Sequence, residues 1–228
     1  MSFFRGPNVV TNGLVLSLDA GNVKSYASGS TVWYDKSGYG NNGTLVNGPG
    51  YSNGSIVFDG VNDYVITAAQ PLTTNSSFTL ECFINFSNFN NNQYFPIIDS
   101  GNFGSGTLGY CLAKDNTNKV YVAVNGGYLN VSNTINSNTW YHIVSTASYT
   151  TNYSFSIYIN GILGTQSALL NPSTLTINQT TVKIANNYVG PSTYSNFTMG
   201  ICKIYNRALS ASEVLQNYNA LKSRFNLS

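Results

Sequence analysis

The sequence contains very little charge. Only 8% of its 228 residues are Asp, Glu, Lys or Arg, and ten basic against eight acidic residues give a formal net charge of +2. The basic residues form no cluster, so the contacts with phosphate on which nucleic-acid binding depends are missing. We therefore expect no nucleic-acid partner.

A secretion signal and long apolar runs are also missing. The opening residues, MSFFRGPNVV, lack the charged segment followed by an apolar one that is typical of a signal peptide. No apolar run approaches the length that spans a bilayer. These absences predict a soluble protein that is made in the cytoplasm without a signal peptide and is not inserted in a membrane.

Cysteine is scarce. Cys82, Cys111 and Cys202 lie in separate apolar stretches, with no Cys or His partner close in sequence. An odd, widely spaced set argues against both a disulfide framework and a zinc site. We expect three buried thiols in a chain that folds under reducing conditions.

Aromatic residues and turn-forming residues are abundant. The chain contains 17 Tyr, 12 Phe and 21 Gly, and 42% of its residues are hydrophobic. Aromatic side chains suit strands with one buried face, whereas Gly and Asn suit tight turns. A chain of this length can bury a sizeable core as one domain, so the composition predicts an all-β domain.

Alternation of apolar and polar residues predicts strands along almost the whole chain. In residues 78–86 it places five side chains on one face, namely Phe78, Leu80, Cys82, Ile84 and Phe86. The predicted strands are residues 14–19, 55–58, 78–86, 119–124, 139–147, 153–159, 162–165, 182–185 and 197–205. Asn160–Gly161 is a two-residue hairpin signal, because both turn positions need a positive φ. Many short strands separated by turns predict a sandwich or a barrel.

The C-terminal residues follow a different pattern. Ser210 and Glu213 form a capping box, in which each side chain binds a backbone amide at the start of a helix. The apolar residues that follow recur at helical spacing and predict one stripe that docks on the sheets, namely Val214, Tyr218, Leu221 and Phe225. We expect one domain over residues 1–228, with residues 1–12 as an N-terminal arm and residues 210–225 as a helix.

Five sequence blocks resemble laminin G-like domains and follow one another in the order of that family. They are DKSGYGNNGT with SIVFDGVNDYV (35–44 and 55–65), FTLE (78–81), TWYHIV (139–144), IYING (157–161) and IYNRALS (204–210). The resemblance implies a two-sheet antiparallel jelly-roll sandwich of the concanavalin A-like type with a short C-terminal helix. It also implies that loops at the rim can carry sugar or calcium sites.

The block LQNYNA (215–220) resembles segments of tailed-phage particle proteins. This resemblance implies a structural or adhesive protein on the virion surface, made in the host cytoplasm, such as a capsid decoration, a fibre or a tail-associated component. Other capsid or tail proteins would then be its partners, and we expect a homo-oligomer. The alternative is a lectin-like carbohydrate-binding module that recognises host or environmental glycans.

The sequence offers little for catalysis. Glycan hydrolysis normally uses two carboxyl groups that flank the scissile bond. Of the two Glu residues, Glu213 belongs to the capping box and Glu81 has no second carboxyl nearby in sequence. The only histidine, His142, shares a strand face with Trp140, and no nucleophile-elbow motif is present. We predict a structural role for His142 and no enzymatic activity.

A cluster of oxygen-bearing side chains, Asp59, Asn62 and Asp63, is the best candidate for a metal site. Calcium needs six to eight oxygen ligands, whereas Asp and Asn are also common in tight turns for backbone reasons. Related domains often supply a further acidic residue before the last strand, and residues 197–200 contain none. We favour the turn and expect no cofactor, with calcium as the alternative.

Aromatic residues in predicted loops are the candidates for ligand binding. They are Trp33, Tyr39, Tyr94, Tyr188 and Tyr194. Sugar rings stack on aromatic faces while neighbouring polar side chains bind the hydroxyl groups. The alternative is that these rings pack the loops or contact other proteins.

Overall fold

The chain folds into two antiparallel sheets and one helix. The computed structural model describes residues 7–87, 94–101, 108–125, 127–164, 166–168, 174–187 and 193–228. The strands in these ranges are β1 (Leu14–Asp19), β2 (Val32–Trp33), β3 (Gly43–Val46), β4 (Gly50–Ser52), β5 (Ser55–Asp59), β6 (Tyr64–Thr67), β7 (Phe78–Phe86), β8 (Phe95–Ser100), β9 (Tyr110–Lys114), β10 (Lys119–Val124), β11 (Gly127–Thr134), β12 (Trp140–Tyr149), β13 (Tyr153–Ile159), β14 (Ile162–Leu163), β15 (Gln166–Ala168), β16 (Lys183–Ile184) and β17 (Asn196–Tyr205). Helix α1 (Ala211–Leu221) continues into a 3₁₀ turn at Lys222–Phe225.

The strands divide into two sheets of nearly equal size. The eight-stranded sheet has the order β14-β13-β12-β7-β17-β5-β4, and β1 also pairs with β17. The nine-stranded sheet has the order β15-β11-β10-β9-β8-β16-β6-β3-β2. The predicted all-β sandwich with a short C-terminal helix is therefore confirmed.

The hydrophobic core lies between the inner faces of the two sheets. The five alternating residues predicted for β7 are all fully buried and belong to the main core cluster. From the nine-stranded sheet, Leu112 and Val122 belong to the same cluster. Fully burying a large apolar side chain contributes about 1.5–3 kcal/mol, so this face of β7 is a major source of stability.

The hairpin predicted at Asn160–Gly161 is confirmed. Both residues have positive φ angles, 53° and 77°, and they connect β13 to β14.

By contrast, β8 and β9 were not predicted as strands. Every residue of β8 and of β9 is buried. A strand buried on both faces is a continuous run without polar alternation, so its period is hidden.

The C-terminal helix begins with the predicted capping box. The Glu213 amide donates to the Ser210 hydroxyl, and the Ser210 amide donates to the Glu213 carboxylate over 2.9 Å. Arg207 binds the same carboxylate with two nitrogens, at 2.9 and 2.6 Å. The apolar stripe of the helix is buried as predicted, with Leu221 packed near Phe83 of β7. The helix therefore covers the outer face of the eight-stranded sheet.

The cysteines and the helix can each be compared with what the sequence predicts. All three cysteines are buried and free of disulfide bonds, as predicted. In the part of the chain that the structure describes, α1 falls short of the length and the apolar character that a membrane-spanning helix needs.

Candidate functional site

The outer face of the nine-stranded sheet carries the candidate site. Successive residues of a strand point to opposite faces, so the neighbours of core residues Leu112 and Val122 face outward. One cross-strand row on this outer face runs through Tyr128, Ala123, Cys111, Asp99, Lys183 and Ile66. The row crosses six neighbouring strands, from β11 to β6.

The middle of this face consists of small, buried side chains. Cys111, Ala113 and Ala123 form a separate cluster outside the main core, with Tyr121 packed against it. The Tyr121 hydroxyl is hydrogen-bonded to the Cys111 thiol. Burial and the nearby Asp99 carboxylate raise the pKa of Cys111 well above its usual value. The thiol therefore stays protonated and is no nucleophile.

Three tyrosine rings stand beside this cluster. Tyr121 lies between Tyr94 and Tyr128, with ring centroids 6.3 and 6.4 Å apart in edge-to-face geometry. Tyr94 is 45% exposed and Tyr128 is 41% exposed, so both present ring surface to solvent. Rings in contact hold one another in place, which reduces the entropy lost when a ligand stacks on them.

A second tyrosine pair lies across the sheet. The ring of Tyr64 on β6 lies 6.3 Å from that of Tyr194, and Lys183 Nζ lies 5.5 Å from the Tyr64 centroid. Lys183 Nζ also donates to the Asn187 carbonyl over 3.1 Å. Burial lowers the pKa of Lys183, and the facing Asp99 opposes this shift. We call Tyr94, Tyr121, Tyr128, Tyr64 and Tyr194, with Lys183 and Asp99 between them, the tyrosine track.

The predicted ligand-binding residues fall in different places. Tyr94 and Tyr194 belong to the tyrosine track. Trp33 is fully buried in the core, so its ring is not presented to a ligand, and that prediction is corrected. Tyr39 lies in the connection between β2 and β3 and is 67% exposed. Tyr188 lies outside the described residues.

Sequence reasoning missed three members of the track. Tyr64, Tyr121 and Tyr128 lie within strands, whereas the predicted ligand-binding residues were aromatic residues in predicted loops. The alternation of residues along β10 indicates that Tyr121 faces outward, because its neighbours Val120 and Val122 both face the core.

The cluster Asp59, Asn62 and Asp63 forms a hydrogen-bonded turn. Asp59 Oδ1 accepts from the Val61 amide over 2.8 Å, and Asp63 Oδ2 accepts from the Asp59 amide over 3.3 Å. Asp63 is buried, and burial raises the pKa of its carboxyl. Among the residues that the structure describes, no three His, Cys, Asp or Glu side chains are grouped to hold a metal ion. The two hydrogen bonds agree with the turn that we favoured, and calcium binding stays untested.

A buried ionic network lies on the opposite side of the molecule. Glu81 Oε1 accepts from Lys203 Nζ over 3.0 Å and lies 3.2 Å from His142 Nε2. Glu81 Oε2 accepts from Asn217 of α1 over 2.7 Å, and Asn217 Oδ1 accepts from the Val10 amide over 2.8 Å. The network therefore joins three central strands, the helix and the N-terminal segment.

The electrostatics of this network fit a structural role. Burial opposes charge on Glu81, but Lys203 and the hydrogen bond with His142 outweigh it and hold the pKa of that carboxyl at about 2. His142 is stacked on Phe83 and Tyr218, and burial lowers its pKa. Glu81 is fully buried and out of reach of a substrate. Its isolation in sequence was misleading, because its partners come from neighbouring strands and from the helix.

Comparison with known proteins identifies the family. The sequence profile described as the concanavalin A-like lectin/glucanases superfamily matches residues 59–215, which is more than half of the chain. The chain belongs to this superfamily. A search of curated proteins finds no significant match.

Solved structures share the fold of this lectin/glucanase-type chain at low identity. A Trypanosoma rangeli sialidase in complex with sialic acid is 19% identical with a TM-score of 0.68, over 93% of this chain and 33% of the sialidase chain. The botulinum neurotoxin serotype D binding domain is 15% identical with a TM-score of 0.67, over 92% of this chain and 52% of that chain. The chain thus spans about a third of the sialidase, and these likenesses show the fold alone.

Proposed function

We propose that this chain is a non-enzymatic carbohydrate-binding module and that the tyrosine track is its glycan site. The observation that carries the proposal is the row of ring-to-ring contacts from Tyr94 through Tyr121 to Tyr128, with two partly exposed rings at its ends. Membership of a lectin/glucanase superfamily supports the ligand class.

The residues of the track offer the two kinds of contact that sugars need. Apolar faces of a pyranose stack on Tyr94 and Tyr128, and Lys183 lies further along the same sheet face to donate to hydroxyl groups. Each stacked ring contributes about 0.5–1.5 kcal/mol beyond its buried area, so one site binds weakly, with a Kd on the order of millimolar. Display of several copies on one oligomer would raise the avidity.

The distribution of carboxylates supports a non-enzymatic role. Asp99 is the single acidic residue on the strands of the nine-stranded sheet, and it is buried opposite Lys183. Most glycosidases need a second carboxyl group across the scissile bond. Glu81 lies under the C-terminal helix, on the other sheet.

A glycan array measured with calcium and with chelator tests this function. We expect binding to a subset of glycans that Tyr128→Ala and Tyr94→Ala each weaken by roughly tenfold, since each removes one stacking ring. Tyr39→Ala is the matched control, because it removes an exposed tyrosine outside the track and leaves binding unchanged. A flat array, or binding that survives both substitutions, would contradict the proposal.

Display on a phage particle is the second candidate, and exposed apolar side chains favour it. Ile162 and Leu163 on the short strand β14 are 71% and 54% exposed. β14 ends the eight-stranded sheet, and Leu215 of α1 is exposed as well. Apolar side chains on an open sheet edge are typical of assembly contacts. Mass spectrometry of purified particles tests this role, and absence of the protein from them would exclude it.

A further inference from the structure

A groove of about 470 Å³ opens at the edge of the sandwich and shares no residue with the tyrosine track. Two connections form its walls, the one between β1 and β2 and the one between β3 and β4. Both β2 and β4 are edge strands, one in each sheet. The groove therefore lies where the two sheets end side by side. Its size falls within the roughly 300–1,000 Å³ of small-molecule sites.

The floor of the groove contains two tyrosine rings that are already fixed in place. Tyr26 and Tyr51 have ring centroids 5.0 Å apart at 45°. The Tyr26 hydroxyl donates to the Ser30 carbonyl over 3.0 Å, and the Tyr51 hydroxyl donates to the Ala20 carbonyl over 3.2 Å. Tyr26 is almost fully buried, whereas Tyr51 is 37% exposed. Tyr51 thus offers a ring face whose orientation is set before any ligand arrives.

The rim of the groove is polar. Ser28, Thr31 and Asn47 are exposed and line the groove, and among the residues that the structure describes no charged side chain lines it. Asn47 Nδ2 donates to the Asn62 carbonyl over 2.7 Å, so the turn that contains Asp59 and Asp63 holds this wall in place. An anionic ligand finds no countercharge among these described lining residues.

We infer that this groove binds a neutral pyranose sugar, stacked on Tyr51 and hydrogen-bonded by the hydroxyl and amide groups of the rim. A fixed aromatic face beside uncharged donors and acceptors matches an uncharged polyol ring. Acidic sugars are disfavoured, because their carboxylate would lose water without gaining a cation. The inference stands apart from the tyrosine track, since the two sites share no residue, and it makes the module bivalent.

Ligand-detected NMR on the full chain tests the inference with defined probes. The probes are methyl glycosides of glucose, galactose, mannose and N-acetylglucosamine, with N-acetylneuraminic acid as the charged comparison. We expect saturation transfer to at least one neutral glycoside and none to the acid. Tyr51→Ala is expected to weaken that binding by roughly tenfold, because the stacking face is lost. Tyr128→Ala leaves it unchanged, so failure at this site is distinguishable from failure at the track.

A second variant covers the case in which Tyr51→Ala does not fold. Ser28→Trp places a large side chain on the exposed rim and blocks the groove while both tyrosines stay in place. We expect it to abolish the signal that remains when both exposed rings of the track are removed by Tyr94→Ala and Tyr128→Ala, with an unchanged amide spectrum elsewhere. The inference is overturned if no neutral glycoside gives saturation transfer in that double variant, or if its signal persists after Ser28→Trp or a folded Tyr51→Ala is added.

Discussion

The outer faces of the two sheets each contain a pair of oppositely charged residues, and they differ in what covers that pair. Each face has one acidic residue opposite a lysine on the next strand, Glu81 with Lys203 and Asp99 with Lys183. On the eight-stranded sheet, α1 closes over the pair and Asn217 joins it. On the nine-stranded sheet, tyrosine rings flank the pair, and some of their surface remains exposed.

This difference supports a structural role for one face and the recognition role that we propose for the other. A buried charge pair that is fully hydrogen-bonded fixes a single arrangement of the elements around it, and removing one partner is costly. Partly exposed rings beside a charged pair, in contrast, keep surface that a ligand can use.

The largest effect is expected on the outer face of the eight-stranded sheet, which α1 covers and which we call the covered face. Glu81→Leu leaves Lys203 buried without its counter-ion, which is expected to lower the free energy of unfolding by about 3–5 kcal/mol. The double variant Glu81→Leu/Lys203→Met removes both charges and is expected to recover much of that loss. Urea unfolding followed by circular dichroism measures both. A loss below about 1 kcal/mol in the single variant would show that the network does not hold the helix in place.

The docking of α1 on the sheet is expected to make the next largest contribution to the free energy of unfolding. Leu221→Asp buries a charge against Phe83 and Phe225 and is expected to cost about 2–4 kcal/mol. Leu215→Asp is the control on the same helix, because Leu215 is 45% exposed and its substitution costs about 0.5 kcal/mol or less. Equal thermal midpoints for the two variants would mean that the helix does not dock through its predicted stripe.

Acid is expected to weaken the covered face in two steps. His142 has a folded pKa below its ordinary 6.5, so the unfolded chain binds the extra proton and stability falls as the pH drops below that value. Glu81 has a pKa of about 2 against an ordinary 4.5, so stability falls again below pH 4.5, and Glu213 adds to this step.

Substitution of the single histidine separates the two steps. His142→Gln carries no titrating ring, and it is expected to flatten the dependence between pH 7.5 and 5.5 while the lower step remains. Urea midpoints across this range measure the effect. An unchanged slope in the variant would show that His142 does not titrate differently in the folded chain.

The elements that could be predicted are those with a clean local signal. Strand β7 follows from its alternation, the β13–β14 hairpin from Asn160–Gly161 and the start of α1 from Ser210 and Glu213. These signals act over a few residues, so they are visible in one sequence. Strands β8 and β9 carried no such signal, because both of their faces are buried.

The Glu81 network and the tyrosine track could not be predicted from the sequence, for a different reason. Glu81 and Lys203 are 122 residues apart, and Glu81 and Asn217 are 136 apart. Their contact depends on the order of strands in the sheet, which local periodicity does not contain. The tyrosine track likewise combines residues from separate strands, so only its loop members Tyr94 and Tyr194 were proposed in advance.

The smallest effect is expected from calcium. The Asp59–Asp63 turn uses its carboxylates to bind backbone amides, so the melting temperature is expected to be the same with calcium and with chelator. Asp59→Asn together with Asp63→Asn is expected to cost about 1 kcal/mol or less, because Asn accepts the same turn conformations. A rise of several degrees with calcium that this double variant removes would restore the metal site.

Amide chemical-shift mapping of the isotope-labelled chain with an array-selected glycan tests the central claim most directly. We expect shift changes on β8 to β11 and β16, around Tyr94, Tyr121 and Tyr128, and none on β7, β12 or β17 beneath α1. Changes confined to the helix-covered face, or no change on the nine-stranded sheet at saturating glycan, would contradict it.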